Sequence, residues 1–136
     1  QKEQTLTHGR QVFLKLAPVD PRSLMQGDYM RLAYSLADKF SEGTLPADGR
    51  LIVQLDAQGI GTTARLADDK PLAPNETLLR YRYRKGLRLG AESFFFQEGQ
   101  AATFDKAKYG ELRVDASGDS VLVGLRGEKL EVLGKP

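Results

Sequence analysis

The sequence contains no cysteine. That absence removes disulfides, thiolate catalysis and cysteine-based zinc sites together. His8 is the single histidine, so a centre built from several histidines of one chain is excluded, and no metal or cofactor is expected. No apolar run of ~18 residues occurs, so no segment is expected to cross a membrane as a helix. Charge of one sign is missing too: 20 Lys and Arg against 18 Asp and Glu leave a formal net charge of +2. Nothing in that balance argues for nucleic acid or an anionic membrane. The chain holds no P-loop, no GxGxxG, no internal repeat and no low-complexity tract.

Alternation is what the sequence has in quantity. Its 136 residues suit one domain with a real core. Val12, Leu14 and Leu16 fall on one face of a strand, with Phe13 and Lys15 opposite. Met30, Leu32 and Tyr34 share a face, as do Leu51, Val53 and Leu55. Ile60 to Leu66, Leu79 to Tyr83, Ser93 to Phe96, Leu112 to Val114 and Val121 to Leu125 continue the pattern. Asp56-Ala57-Gln58-Gly59 and Ala116-Ser117-Gly118-Asp119 read as hairpin loops, and Gly127 marks a third turn. Two short helices are expected. One spans 36–42 with Ser35 as N-cap and Gly43 as stop; the other spans 99–108 with Ala101, Phe104 and Ala107 on one stripe. The fold class is therefore mainly β (α+β): an antiparallel barrel or sandwich of about eight short strands with one or two short helices. Phe94-Phe95-Phe96 reads as core filling from both faces of a central strand.

The strongest electrostatic feature is Arg80-Tyr81-Arg82-Tyr83-Arg84-Lys85, with Arg88 close behind. On a strand, Arg80, Arg82 and Arg84 project from one face at intervals of ~6.6–7 Å, twice the strand rise. Such a ladder suits phosphates or carboxylates. It also suits acidic partners on a neighbouring strand, which is the plainer account. Alternation sends Tyr81 and Tyr83 to the opposite face, whereas nucleic-acid surfaces display aromatics beside basic groups; nucleic acid is not an expected partner.

Catalytic constellations are thin. Asp68-Asp69 precedes Lys70-Pro71 and reads as a solvated turn. Asp20 and Asp28 bracket one loop, but Asp20 is followed by Pro21-Arg22, which favours an Asp–Arg turn brace. Ser23 lies four residues before Gly27-Asp28, a layout that only partly resembles the catalytic-serine region of signal peptidases: the Ser-Met and Pro-Thr pairs of those enzymes are missing. A Ser–Lys dyad through Lys15 or Lys39 would be needed to activate it.

The segment APVDPRSLMQGDYMRLAY, residues 17–34, carries the most identity. Gly27, Asp28, Tyr29, Leu32 and Tyr34 match the defining positions of the bacterial GDYXXLXY family, and FFFQEGQAATFDKAKYGELRV, residues 94–114, resembles its second common segment. The resemblance implies an envelope protein with one N-terminal membrane helix and an extracytoplasmic, periplasmic-side domain anchored to the inner membrane. The chain opens on Gln1 rather than Met, and the expected anchor would precede it. The family carries no assigned activity. If 28–34 is a strand, Leu32 and Tyr34 face the core while Tyr29 and Arg31 face away. Asp20, Arg22, Asp28, Tyr29 and Arg31, with Arg80, Arg82 and Arg84, are thus the candidate ligand-binding residues. The favoured function is a non-enzymatic module binding an envelope protein or peptide. The alternatives are a hydrolase using loop carboxylates or Ser23, and an anionic-lipid or polyanion binder using the arginine ladder.

Overall fold

The computed structural model describes residues 9–17, 25–26, 29–96 and 99–134. Ten strands run β1 (Arg10–Lys15), β2 (Met25–Gln26), β3 (Tyr29–Arg31), β4 (Asp48–Leu55), β5 (Gly61–Leu66), β6 (Glu76–Tyr83), β7 (Leu87–Arg88), β8 (Ser93–Phe95), β9 (Tyr109–Val114) and β10 (Ser120–Arg126). They form three antiparallel sheets, ordered β1-β9-β10, β2-β3-β8 and β5-β4-β6-β7, which curl into a half-barrel. The mainly β class with short helical pieces is what the alternation predicts.

Two turns show why the strands reverse where they do. Asp56 Oδ1 accepts the N–H groups of Gln58 and Ile60, and the Gly59 N–H donates to the Asp56 carbonyl. Asp115 repeats this arrangement with Ser117, Asp119 and Gly118. Both loops read Asp-Ala-x-Gly. The carboxylate satisfies the turn's donors, and the glycine, at φ 87° or 97°, takes the left-handed position that a Cβ would penalise.

Register slips at Gln54/Leu55 and Leu122/Gly124 bend the two larger sheets. Two non-local backbone bonds then bring those sheets together. The Phe13 N–H donates to the Gly59 carbonyl at 2.9 Å, and the Arg80 N–H donates to the Gly118 carbonyl at 2.9 Å. The main core lies between them and includes Val12, Leu14, Leu51, Val53, Leu79, Tyr81, Leu112 and Val114. A smaller cluster gathers Met30, Leu32, Phe104 and Leu125, with Phe94 and Phe96 packed against it. Phe13 and Ile52, on the strand faces away from the main core, are buried as well. Phe13 lies under the Arg126 guanidinium, 5.2 Å from its ring centre.

Both helical expectations need shortening. Residues 35–39 form a 3-10 turn, not an α-helix. Ser35 does not cap it; its hydroxyl donates to the Leu16 carbonyl. Leu36, Ala37 and Phe40 still pack against the core as their spacing implies. The second helix, α1 (Ala101–Phe104), is a single turn; beyond it the Ala107 N–H donates to the Phe104 carbonyl and the Lys108 N–H to the Arg126 carbonyl. Its buried Phe104 stacks on Phe94 and Phe96 at 5.1 and 5.5 Å between ring centres. The phenylalanine triplet is also only partly core: β8 ends its sheet rather than lying at the centre, and Phe95 is 72% exposed.

The two segments that carry the family resemblance meet directly. β3 pairs with β8 in the register Tyr29–Phe95, Met30–Phe94 and Arg31–Ser93. Met30, Leu32 and Tyr34 are all buried, and Arg31 is exposed between them. The Tyr34 ring rests on β9 at Gly110, where an added Cβ would lie 3.1 Å from Cε1 and 3.2 Å from the nearest Leu122 methyl. Its hydroxyl donates to the Ala91 carbonyl. Burial, then the Glu92 carboxylate, push this phenol far above its ordinary 10.0. Tyr81 is raised in the same direction by burial and then Asp48, and its hydroxyl donates to the Pro46 carbonyl at 3.1 Å.

A phenol that resists ionisation only when folded stabilises fully below the unfolded value and loses that contribution as pH rises past it. Stability is therefore expected to fall above pH 10.0. Tyr34→Phe should cost about 1–2 kcal/mol at neutral pH, since it orphans a buried carbonyl. It should also flatten the alkaline limb, leaving the part due to Tyr81. Urea titrations from pH 7 to 11 check both effects; an unchanged alkaline slope would remove Tyr34 from this role.

Candidate functional site

Asp20, Arg22, Asp28 and Ser23 lie outside the described residues, as does His8. Of Tyr29 the structure describes the backbone, in ladder with Phe95. The exposed candidates that can be placed are Arg31, Arg80, Arg82 and Arg84.

The arginine ladder divides. Arg80 faces Arg50 across the β4–β6 pair, a like-charge juxtaposition. Each turns instead to the loop after β9. Arg80 Nε meets Asp119 at 2.6 Å, and Arg50 Nε donates to the Ser117 carbonyl at 2.6 Å. The internal acidic partner anticipated for the ladder is thus present for Arg80. Arg82 stands one row further along, between Asp48 of β4 and Arg88 of β7. Arg84 opens the tight turn to β7, where its N–H donates to the Gly86 carbonyl and Lys85 adopts a left-handed φ of 55°.

Arg88 leads from the ladder to the signature. It lines a cleft of about 320 Å³ with Arg31, Leu32, Glu92 and Ser93. Arg88 and Glu92 also border a second cleft of about 350 Å³, whose other walls include Tyr34, Ala37, Asp38, Phe40, Lys85 and Leu87. The Arg88–Glu92 partition therefore divides one trough between β3, β7 and β8. Glu92 has both oxygens engaged: the Leu89 N–H donates to Oε2 at 2.7 Å and the Gly90 N–H to Oε1 at 2.9 Å. The Leu32 N–H donates to the Glu92 carbonyl at 2.7 Å, tying this loop to the signature strand. Among the described residues, Arg31, Arg82, Arg84 and Arg88 form no ion pair. No group of three or more potential metal-ligating side chains occurs among the described residues.

Arg31 is thus brought beside Arg88, and Arg82 stands next to Arg88 in register, while Arg80 is committed elsewhere. Sequence reading missed Glu92 and Ser93 as site residues. A signal was present: Gly90-Ala91-Glu92 places a carboxylate two residues after a glycine, where it can close the loop's own amides. A third cleft of about 240 Å³, between the 3-10 turn and β5, is lined by both Lys15 and Lys39. Lys39 Nζ donates to the Thr62 carbonyl at 3.2 Å. Among the described residues, no carboxylate lines this cleft.

Other charged contacts are structural. Glu111 receives Arg126 at 2.9 Å and the Gln11 amide at 2.8 Å, with the ion pair mostly shielded from solvent. Arg65 meets Glu76 at 2.9 Å. The Glu76 carboxyl is held below its ordinary range by the Ala73 N–H first and Arg65 second. A lowered carboxyl stabilises above its unfolded value and loses that contribution as pH falls through the folded one. The Glu76 contribution therefore disappears on acidification below the ordinary 4.5.

The two kinds of pair should respond differently to truncation. Arg80→Ala is expected to cost no more than ~1 kcal/mol, because both partners are about half exposed. Glu111→Ala should cost ~2–3 kcal/mol, since it strands a shielded guanidinium and the Gln11 amide. Chemical denaturation of both variants measures the difference, and equal losses would contradict this ordering.

Comparison with known proteins gives one match and two blanks. No curated protein and no solved structure matches this chain. The model of the GDYXXLXY protein family matches residues 1–125, the span that holds the signature strand, its β8 partner, the Tyr34–Gly110 contact and both walls of the trough. The chain belongs to the GDYXXLXY protein family.

Proposed function

We propose that this chain is a non-enzymatic binding domain that holds an extended segment of a protein partner in the trough between β3, β7 and β8. One observation carries the reading. Beside the signature segment the fold builds two adjoining clefts, one lined by Arg31 and Arg88 and the other by Arg88, and neither arginine forms an ion pair among the described residues. Exposed cations concentrated at a concave site are suited to recognition. The same geometry is poor for hydrolysis. Ser93 shares its cleft with two arginines and with Glu92, whose oxygens already accept backbone N–H groups. That carboxylate is set to shape a loop, not to take a proton from a hydroxyl.

The proposed setting is the bacterial envelope, on the extracytoplasmic side of the inner membrane, with a membrane-anchoring segment ahead of residue 1. This part rests on the resemblance of residues 17–34 and 94–114 and on no feature of the trough.

Photo-cross-linking tests the binding reading in whole cells. A photoreactive residue replacing Ser93 should capture a discrete partner, and one replacing the exposed Leu72, outside the trough, should not. The Ser93 adduct should fade on Arg31→Glu with Arg88→Glu. Identical adducts at both positions, or an adduct indifferent to the two arginines, would overturn it. Protease shaving of spheroplasts, compared with intact cells, tests the location: protection in spheroplasts would remove the extracytoplasmic placement.

A further inference from the structure

The geometry points to a specific chemistry for the occupant: we propose a peptide segment whose side-chain carboxylate sits between Arg31 and Arg88 and whose apolar side chain, two residues away on the same face, fills the adjoining cleft. This deepens the binding reading above and rests on it.

The two halves of the trough differ in charge. The Arg31 half holds two guanidinium groups and one carboxylate. That carboxylate already accepts the Leu89 and Gly90 amides and is outnumbered by the two guanidinium groups, so the half keeps an excess of cationic donors. The other half balances Lys85 and Arg88 against Asp38 and Glu92, and it adds Ala33, Ala37, Phe40 and Leu87 as apolar wall. An anion is favoured in the first half and an uncharged apolar group in the second. Because Arg88 and Glu92 belong to both, the halves adjoin closely enough for one molecule to fill them with two nearby groups.

Guanidinium forks match carboxylates bidentately. A peptide accounts for the surroundings better than a bare anion. A peptide carries a carboxylate and an apolar side chain on one backbone, as the charged and the apolar halves of the trough together require. Arg82 lies next to Arg88 in register, outside the trough's lining, and extends the positive field that draws an acidic segment in.

Two acetylated, amidated pentapeptides serve as probes, Ala-Glu-Ala-Leu-Ala and its isostere Ala-Gln-Ala-Leu-Ala. The isotope-labelled domain is titrated with each at low salt, and amide shifts are followed. The glutamate peptide should shift the amides of Arg31, Arg88 and Ser93 and bind about tenfold more tightly than the glutamine peptide. That preference should vanish in Arg31→Gln and in Arg88→Gln, each first checked for native amide dispersion. Two variants keep the test open if one misfolds.

Equal binding of both peptides would overturn the carboxylate assignment and leave the binding domain standing. No shift with either peptide, alongside a surviving Arg-dependent cross-link at Ser93, would do the same. No shift and no cross-link would overturn both. Vesicles containing phosphatidylglycerol form the last arm: association with them that needs Arg31 and Arg88, without any peptide response, would replace the peptide by a lipid headgroup.

Discussion

The Tyr34 ring against Gly110 is the contact on which the site depends. It joins the C-terminal end of the signature segment to β9, and its hydroxyl reaches the Ala91 carbonyl in the loop that carries Glu92. One side chain thus fixes three stretches distant in sequence. The glycine is needed for its absent Cβ, because ring and strand approach too closely for any other residue without displacement. A buried phenol also needs a partner for its hydroxyl, and the carbonyl it uses belongs to the residue before Glu92. The walls of the trough are set by the requirements of one aromatic residue in the core.

Charge is distributed around that frame by two rules. Where an arginine faces another across a ladder, as Arg50 faces Arg80, both are drawn to the loop after β9 and satisfied there. Where a cation and a carboxylate share a shielded surface, as Arg126 and Glu111 do, further donors complete the pair. Among the described residues, Arg31 and Arg88 follow neither rule. Arg31 belongs to the signature segment and Arg88 to the strand β7, and the proposed function rests on their meeting in one cleft.

Much of the architecture was legible in the residues. Period-2 alternation located nearly every strand, and the paired Asp-Ala-x-Gly loops announced two hairpins through chemistry that acts within five residues. The burial of Leu32 and Tyr34, with Arg31 turned away, followed from the same alternation. What stayed hidden was non-local. The curl depends on Phe13 reaching Gly59 and Arg80 reaching Gly118, bonds that no local pattern encodes. Phe94 to Phe96 looked like central-strand core because hydrophobicity does not reveal whether a strand ends its sheet. The 99–108 stripe described α1's buried face correctly at Phe104, yet the helix is one turn long and Lys108 already bonds to β10, a tertiary contact that no local pattern encodes. At the site, Arg88 was visible as a neighbour of the ladder. Its meeting with Arg31 depended on the β3–β8 pairing.

The β7 strand is two residues long and is held to β6 by the Arg82–Arg88 and Tyr83–Leu87 positions alone. The central cation of the trough therefore rides on the shortest ladder of its sheet, seated by the buried Leu87 and Leu89 that flank it. Short ladders open at little free-energy cost, independently of the global transition. Under the proposed function, occupancy and local order would be coupled: a partner gripping Arg88 would also clamp the hairpin and offset the ordering entropy of that segment. Residues in the Arg84–Gly86 bend would then tune affinity without meeting the partner.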